Sequence, residues 1–252
     1  EGEFISILHE LAGLPGDYWL RLLYIHPDEF PRELISVVRD HPAVLPYFDI
    51  PFQHASPKIL HAMGRRGDAG RYLSLIDEIR EGLPEAVIRT TFLVGYYGEG
   101  EREFEELLDF QRRARFDWAG VFSYSPEEGT AALAYEGKEG FAREPEAAAE
   151  REGRLKSLQQ SISEERMERF VGKSLRVLVE EPVQQEDLIL GRAYLQAPEV
   201  DGAAVIHLPE AGGAVRPGDS NSPGDTIRPG DMIDCRIVRR NNIDLEGVIE
   251  HG

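Results

Sequence analysis

Gln53, His54 and Ser56 stand close together in the stretch Tyr47-Phe48-Asp49-Ile50-Pro51-Phe52-Gln53-His54-Ala55-Ser56. An apolar run, 44–50, reads as a strand, and Pro51 stops it, because its nitrogen has no hydrogen to donate and its φ is fixed. The amide, imidazole and hydroxyl therefore fall just past a strand's carboxyl end. Barrels built of strand–helix units gather their chemistry at that end. The plainer alternative is a solvated loop in which Ser56 caps a helix opened by Pro57. Both readings stand on this stretch alone. His26 and His54 can serve in acid–base chemistry, but no metal-ligand spacing surrounds either, so hydrogen-bonding or packing roles are expected. Cys235 is the one cysteine, which excludes an internal disulfide.

The elements around this stretch alternate. A helical pattern over 1–16 (Phe4, Ile5, Leu8, Leu11) ends at Gly13 and Pro15, and 18–25, YWLRLLYI, reads as a buried strand. A short helix follows with Leu34, Ile35 and Val38 on one face. Beyond the organising strand come a helix over 57–63 and another through Tyr72, Leu73, Ile76, Ile79 and Leu83. Residues 87–94, VIRTTFLV, form a third strand ending at Gly95. A helix with Phe104, Leu107 and Leu108 leads to a fourth strand, 118–124. This is a parallel strand–helix series, read as part of a (β/α) barrel or as a doubly wound sheet. Four strands cannot close a barrel, and the opening without Met or a first strand favours a missing beginning. Residues 145–170 read as a last packed helix plus connector.

Past Gly172 the pattern shifts to short strands at 174–180, 188–195, 203–208, 232–239 and 243–249, separated by Gly and Pro clusters. That spacing suggests a small five-stranded β-barrel of the oligomer-binding type. The fold class is thus α/β plus all-β: a partial, open (β/α) barrel over 1–168, then a small barrel over 169–252. The loop 211–231 repeats Arg-Pro-Gly-Asp at 216–219 and 228–231, read as a local duplication. Trp19 and Trp118 are expected in the core.

Composition narrows the function. The chain has 252 residues, 41% of them hydrophobic, enough for packed cores. No stretch is apolar enough to span a bilayer and no signal peptide is present, so a cytoplasmic protein is expected. The net charge of −18 offers no electrostatic footprint for nucleic acid. A small molecule or a basic protein suits it better.

Several strings together resemble the methylthiotransferases of the radical S-adenosylmethionine (SAM) superfamily: W-L-R-L-L-Y-I-H-P at 19–27, D-I-P-F-Q-H-A-S at 49–56, M-G-R-R at 63–66, R-T-T-F-L-V-G at 89–95, F-S-Y-S-P-E-E-G-T at 122–130 and A-P-E-V-D-G at 197–202. The resemblance runs in order along nearly the whole chain. It implies a partial radical SAM barrel followed by a TRAM domain. The tRNA-modifying branch of the family has Gln-Ser-Gly-Ser where this chain has Gln53-His54-Ala55-Ser56, and a basic Arg-Pro pair where it has Glu127-Glu128. The branch similar to this chain adds a methylthio group to an aspartate of the S-twelve protein of the small ribosomal subunit. From residue 171 on, 8 Lys+Arg face 14 Asp+Glu, a balance of 8 − 14 = −6. A barrel built to grip tRNA is expected to be basic.

The resemblance implies site residues. Gln53 and Ser56 would hydrogen-bond SAM, Arg89 would fork onto its carboxylate, and Thr91 would orient that end. Gly95 would let the backbone approach the adenine, and Tyr124 would face the adenine edge. His54, Glu127 and Glu128 would meet the substrate. Bland alternatives remain: strand alternation sends one set of side chains to a helix interface, and Glu128 suits a solvated loop. Two features depart from the family. Its radical chemistry uses a CxxxCxxC loop holding a 4Fe–4S cluster on thiolates. That motif is absent here, so the 252 residues alone are expected to bind no cluster and to be inactive. Tyr97 and Gly100 replace the family's proline and threonine in the turn after Gly95, which predicts a loosened turn. The rival readings are a tRNA methylthiotransferase of the same family and a cluster-free ribosome-binding module.

Overall fold

The computed structural model describes residues 2–183, 186–208 and 227–250. The chain divides into two compact units, Glu1–Ile162 and Ser163–Gly252.

The first unit opens with α1 (Gly2–Ala12) and then places four parallel strands in the order β1-β2-β3-β4: Leu20–Leu22, Val44–Asp49, Val87–Val94 and Trp118–Ser123. Helices α2 (Glu33–Asp40), α3 (Pro57–Ala62), α4 (Ala69–Gly82) and α5 (Glu101–Ala114) join them, and α6 (Pro145–Glu168) follows. Strand β3 shows why the helices pack where they do. Ile88, Phe92 and Val94 are fully buried, while the alternate residues Arg89, Thr91 and Leu93 are half-buried. The buried set joins Val44, Phe48 and Ile50 of β2 and its turn against Leu34 and Val38 of α2, Leu75, Ile76 and Ile79 of α4, and Phe104 and Leu107 of α5. Helix periodicity and strand alternation thus meet on one face of the sheet. Phe52, just past β2, sits among the rings of Tyr72, Phe110 and Phe116 at 4.7–5.6 Å, so the turn after β2 is anchored in the core.

Two local expectations are corrected. The strand read over 18–25 shortens to Leu20–Leu22. It is an edge strand paired only to β2, and Tyr24 takes φ 60° and points to solvent, so a period-two apolar run overstates it. Ser56 occupies the N-cap of α3 but makes no side-chain capping bond, and it is buried rather than solvated. Trp118 is buried as expected; Trp19 is only half-buried.

In the second unit β5 (Ser174–Val183), β6 (Leu188–Ala193), β7 (Ala204–His207), β8 (Met232–Asn241) and β9 (Asp244–Ile249) form a closed barrel in the order β5-β6-β7-β9-β8. Val177, Ile189, Ile206, Ile237 and Leu245 fill its interior. Closure removes the free sheet edges that a short-stranded sheet would otherwise expose. The second Arg-Pro-Gly-Asp copy is a turn into β8: Asp231 accepts from the Arg228 amide at 2.7 Å and Gly230 has φ 96°. The first copy, 216–219, lies outside the described residues.

Candidate functional site

The candidate site lies where β2, β3 and β4 end. Gln53 follows β2, Leu93 closes β3 and Tyr124 follows β4, and all three line one cavity of about 320 Å³ with Met63, Arg65, Tyr96 and Glu127. The volume is at the lower end of ligand pockets, which are mostly apolar with a few placed polar groups. Gln53 is set by its backbone. Its N–H donates to the Thr91 carbonyl and its own carbonyl accepts from the Leu93 N–H, both at 2.8 Å. Its φ of 68° is unusual for a residue with a side chain. Such conformations persist where surrounding structure over-determines them, and they gather at ligand sites. Arg65 is oriented by donating to the Pro51 carbonyl at 2.9 Å.

Aromatic rings build the wall. Tyr96 and Tyr124 lie 4.7 Å apart and Tyr97 meets both at 5.8 Å, all edge-on, the geometry ring quadrupoles favour. Burial raises the Tyr96 phenol above its ordinary pKa, reinforced by its tyrosine neighbours. Arg143 ties the wall together: its guanidinium lies over the Tyr97 and Tyr124 rings and donates to the carbonyls of Gly95 and Tyr124, each at 3.2 Å.

Beneath the cavity runs a buried polar network. The His54 ring is fully buried. Its Nδ1 accepts from the Ser56 amide at 3.0 Å, which leaves the proton of the neutral ring on Nε2, 3.5 Å from Glu99 Oε2. The same Glu99 oxygen accepts from the Gly95 amide at 3.0 Å, and Arg151 pairs with the other at 3.1 Å. Arg151 Nη2 reaches Glu144 at 2.5 Å. The turns after β2 and β3 are thereby held to each other and to α6. The turn expected to be loose is pinned: Glu99 anchors Gly95, and Glu103 accepts from the Gly100 amide at 3.0 Å.

The cavity brings together Gln53, Tyr124 and Glu127 of the expected site residues. Ser56 and His54 are buried behind it, and full burial keeps the His54 ring from a substrate here. Arg89 faces Asp49, with Nη1 3.3 Å from Oδ1, so one arm of its guanidinium meets a carboxylate of the chain itself. Thr91 shares the Arg89 face of β3. Gly95 has φ 75°, and a Cβ there would meet the Ala148 Cβ at 2.6 Å; the close approach it permits is to α6. Glu128 is exposed and outside the lining. Glu99, Arg143 and Arg151 escape sequence reasoning. Glu99 stands in a family-like string, but the two arginines lie 44 and 52 residues beyond it, in a charged stretch with no local signal of inward aim.

Comparison with known proteins follows this geometry. Residues 2–110 match the Radical SAM superfamily and residues 171–249 the TRAM domain. The ribosomal protein uS12 methylthiotransferase RimO of Treponema denticola is 41% identical over 258 residues, covering 96% of this chain and 52% of that protein. The RimO proteins of Thermotoga maritima and Moorella thermoacetica are 42% and 43% identical over 201 residues, 80% of this chain and 45% and 44% of theirs. Over most of its own length this chain is similar to the radical SAM methylthiotransferases. It spans about half the length of the curated methylthiotransferases it matches. The chain also shares its fold with coproporphyrinogen III oxidase (HemN) from Escherichia coli, described as a radical SAM enzyme. There the TM-score is 0.50 at 13% identity, covering 64% of this chain and 36% of that one.

Two cofactors go with the family. The cavity's aromatic and apolar walls, with one amide and one guanidinium placed at its edge, fit one end of a SAM-sized nucleoside. The residues present do not fit a 4Fe–4S cluster. Such a cluster needs several thiolates, and Cys235 is buried in the small barrel, its thiol pushed up to about 12 by burial, with Asp234 and Glu250 adding to it. Among the described residues no three His, Cys, Asp or Glu side chains are grouped to hold a metal ion. No helix there is long and apolar enough to cross a membrane.

Proposed function

We propose that this chain is the SAM-facing and substrate-facing part of a cytoplasmic methylthiotransferase that modifies an aspartate of ribosomal protein uS12. The observation that carries the reading is the cavity at the ends of β2, β3 and β4, where Gln53, Leu93 and Tyr124 converge. When bound there, SAM supplies the radical and methyl chemistry of the family. The chain's residues bind and orient. Gln53, fixed at φ 68°, offers an amide for a polar edge. Leu93, Tyr96 and Tyr124 exclude water from a flat ring. Arg65 places a cation at the rim for a carboxylate, and Glu127, facing the same opening, meets a basic substrate segment. Arg89 braces β2 and β3 through its contact with Asp49, and the Thr91 carbonyl holds the Gln53 amide. No step is assigned to a cluster from these residues.

The test is a titration calorimetry series of the chain with S-adenosylhomocysteine. Leu93→Trp fills the cavity and is expected to weaken binding at least tenfold, and Gln53→Ala to weaken it severalfold. Arg102→Gln, on the exposed face of α5, serves as control. Affinity that survives Leu93→Trp unchanged contradicts the reading.

A further inference from the structure

A second cavity, about 560 Å³, is lined by Pro27, Asp28, Arg32, Arg66, Arg71 and Tyr72 among others. Three arginines line it, on a chain whose net charge is −18. The three nearby carboxylates are each engaged. Asp28 accepts from the Arg66 amide at 2.9 Å and from the Tyr72 hydroxyl at 3.2 Å. Asp68 caps α4 by accepting from the Arg71 amide at 2.9 Å and also pairs with the Arg71 guanidinium, its Oδ2 3.6 Å from Nε, and Glu78 pairs with Arg32. Among the described residues the Arg66 guanidinium has no partner; its bonds are made by its main chain alone.

The loop that carries Arg66 is built tightly. Gly64 has φ 77°, and the Arg65 amide donates to the Leu60 carbonyl at 2.8 Å. Gly67 lies so close to the Tyr72 ring that an added Cβ would come within 2.1 Å of it, so only glycine fits. Tyr72 is itself locked in the aromatic core by Phe52 and held by Asp28. Arg71 reaches back to the Arg66 carbonyl at 3.3 Å. Backbone, ring and caps thus hold one loop in one shape, and the unpaired group that shape presents to the cavity is a guanidinium.

We infer that Arg32, Arg66 and Arg71 form a binding site for a phosphate group, separate from the cavity at the strand ends. Planar guanidinium forks match the oxygens of a phosphate and pair with them bidentately. The cavity has room for the phosphate and an attached sugar. That chemistry is shared by a free sugar phosphate and by an RNA backbone.

The chain is titrated, at constant ionic strength, with inorganic phosphate, with ribose 5-phosphate and with a uridine hexanucleotide, read by phosphorus NMR line broadening. Binding by phosphate is expected to weaken at least tenfold in Arg66→Gln, with the melting temperature unchanged because that side chain is exposed and makes no bond among the described residues, and further in the Arg66→Gln, Arg71→Gln pair. Arg102→Gln is expected to bind like the parent. Tighter binding of the hexanucleotide than of ribose 5-phosphate identifies an RNA backbone as the source, and the reverse order a free sugar phosphate. No binding of phosphate by the parent chain, or equal binding by Arg66→Gln, overturns the site.

Discussion

Glu99 is the residue on which the candidate site's geometry turns. It is fully buried, and it joins the Gly95 amide, the Arg151 guanidinium and the His54 ring. Breaking a buried pair from one side strands a charge, which costs roughly 3–5 kcal/mol, whereas apolar replacement of both partners is often neutral. Arg151→Met is therefore expected to lower the unfolding free energy by an amount of that order. The double variant Arg151→Met, Glu99→Leu is expected to recover part of the loss, measured by urea denaturation of both. Equal losses in the single and double variants contradict this. A second residue-scale expectation concerns Glu246 in the small barrel. Its pKa is lowered, first by the hydrogen bond from Arg239 and then by that from His207. A folded-state value below the unfolded one means that its stabilisation is present above the ordinary carboxylate range and fades as pH falls through the lowered value. Glu246→Gln is expected to flatten that acid limb of the stability profile. An unchanged profile places the acid sensitivity elsewhere.

At the scale of elements, α6 and the turn after β3 are in contact so close that position 95 tolerates only glycine. Gly95→Ala would combine a positive φ with a 2.6 Å approach to Ala148, and overpacking of this kind costs typically 1–3 kcal/mol. Thermal unfolding is expected to show the loss, and adding Ala148→Gly to relieve the contact but not the backbone strain. A Gly95→Ala protein as stable as the parent rules the contact out as a constraint. Much of this architecture was legible beforehand. Residues 87–94 alternate cleanly, and the helix faces through Tyr72–Ile79 and Phe104–Leu108 are periodic, so β3, α4 and α5 followed from spacing. The run 18–25 misled because an edge strand and an exposed loop share its apolar composition. Around the site, Gln53 and Tyr124 were readable because they lie just past the carboxyl ends of β2 and β4. The inward aim of Arg143 and Arg151 was not, because a charged stretch looks the same whether its arginines meet water, as do many, or the distant carbonyls of Gly95 and Tyr124 that Arg143 reaches and the buried Glu99 carboxylate that Arg151 reaches. The role of Gly95 was misplaced for the same reason: the partner that demands glycine comes from α6.

At the scale of the whole molecule the chain has two units that divide within the last turns of α6, between Ile162 and Ser163, a few residues before the 168/169 boundary expected from the sequence. Residues 169–252 expressed alone are expected to fold, because the barrel closes on itself and fills its own interior with Val177, Ile189, Ile206, Ile237 and Leu245. Dispersed amide NMR resonances and a cooperative melt would bear this out; a collapsed spectrum would show that the barrel depends on the first unit. The barrel's charge bears on the partner. Its balance of 8 Lys+Arg against 14 Asp+Glu and the exposed Glu127-Glu128 pair, of which Glu127 lines the cavity, suit a basic protein. Complementary charge raises association rate and suppresses wrong partners, and it is screened over roughly 8 Å at physiological ionic strength. The measurement that tests the proposed function most directly is a parallel titration of the chain with isolated ribosomal protein uS12 and with unmodified tRNA at physiological salt. The account predicts tighter binding to uS12, weakening as salt rises and weakened further by Glu127→Lys with Glu128→Lys. Tighter binding to tRNA than to uS12 would contradict it.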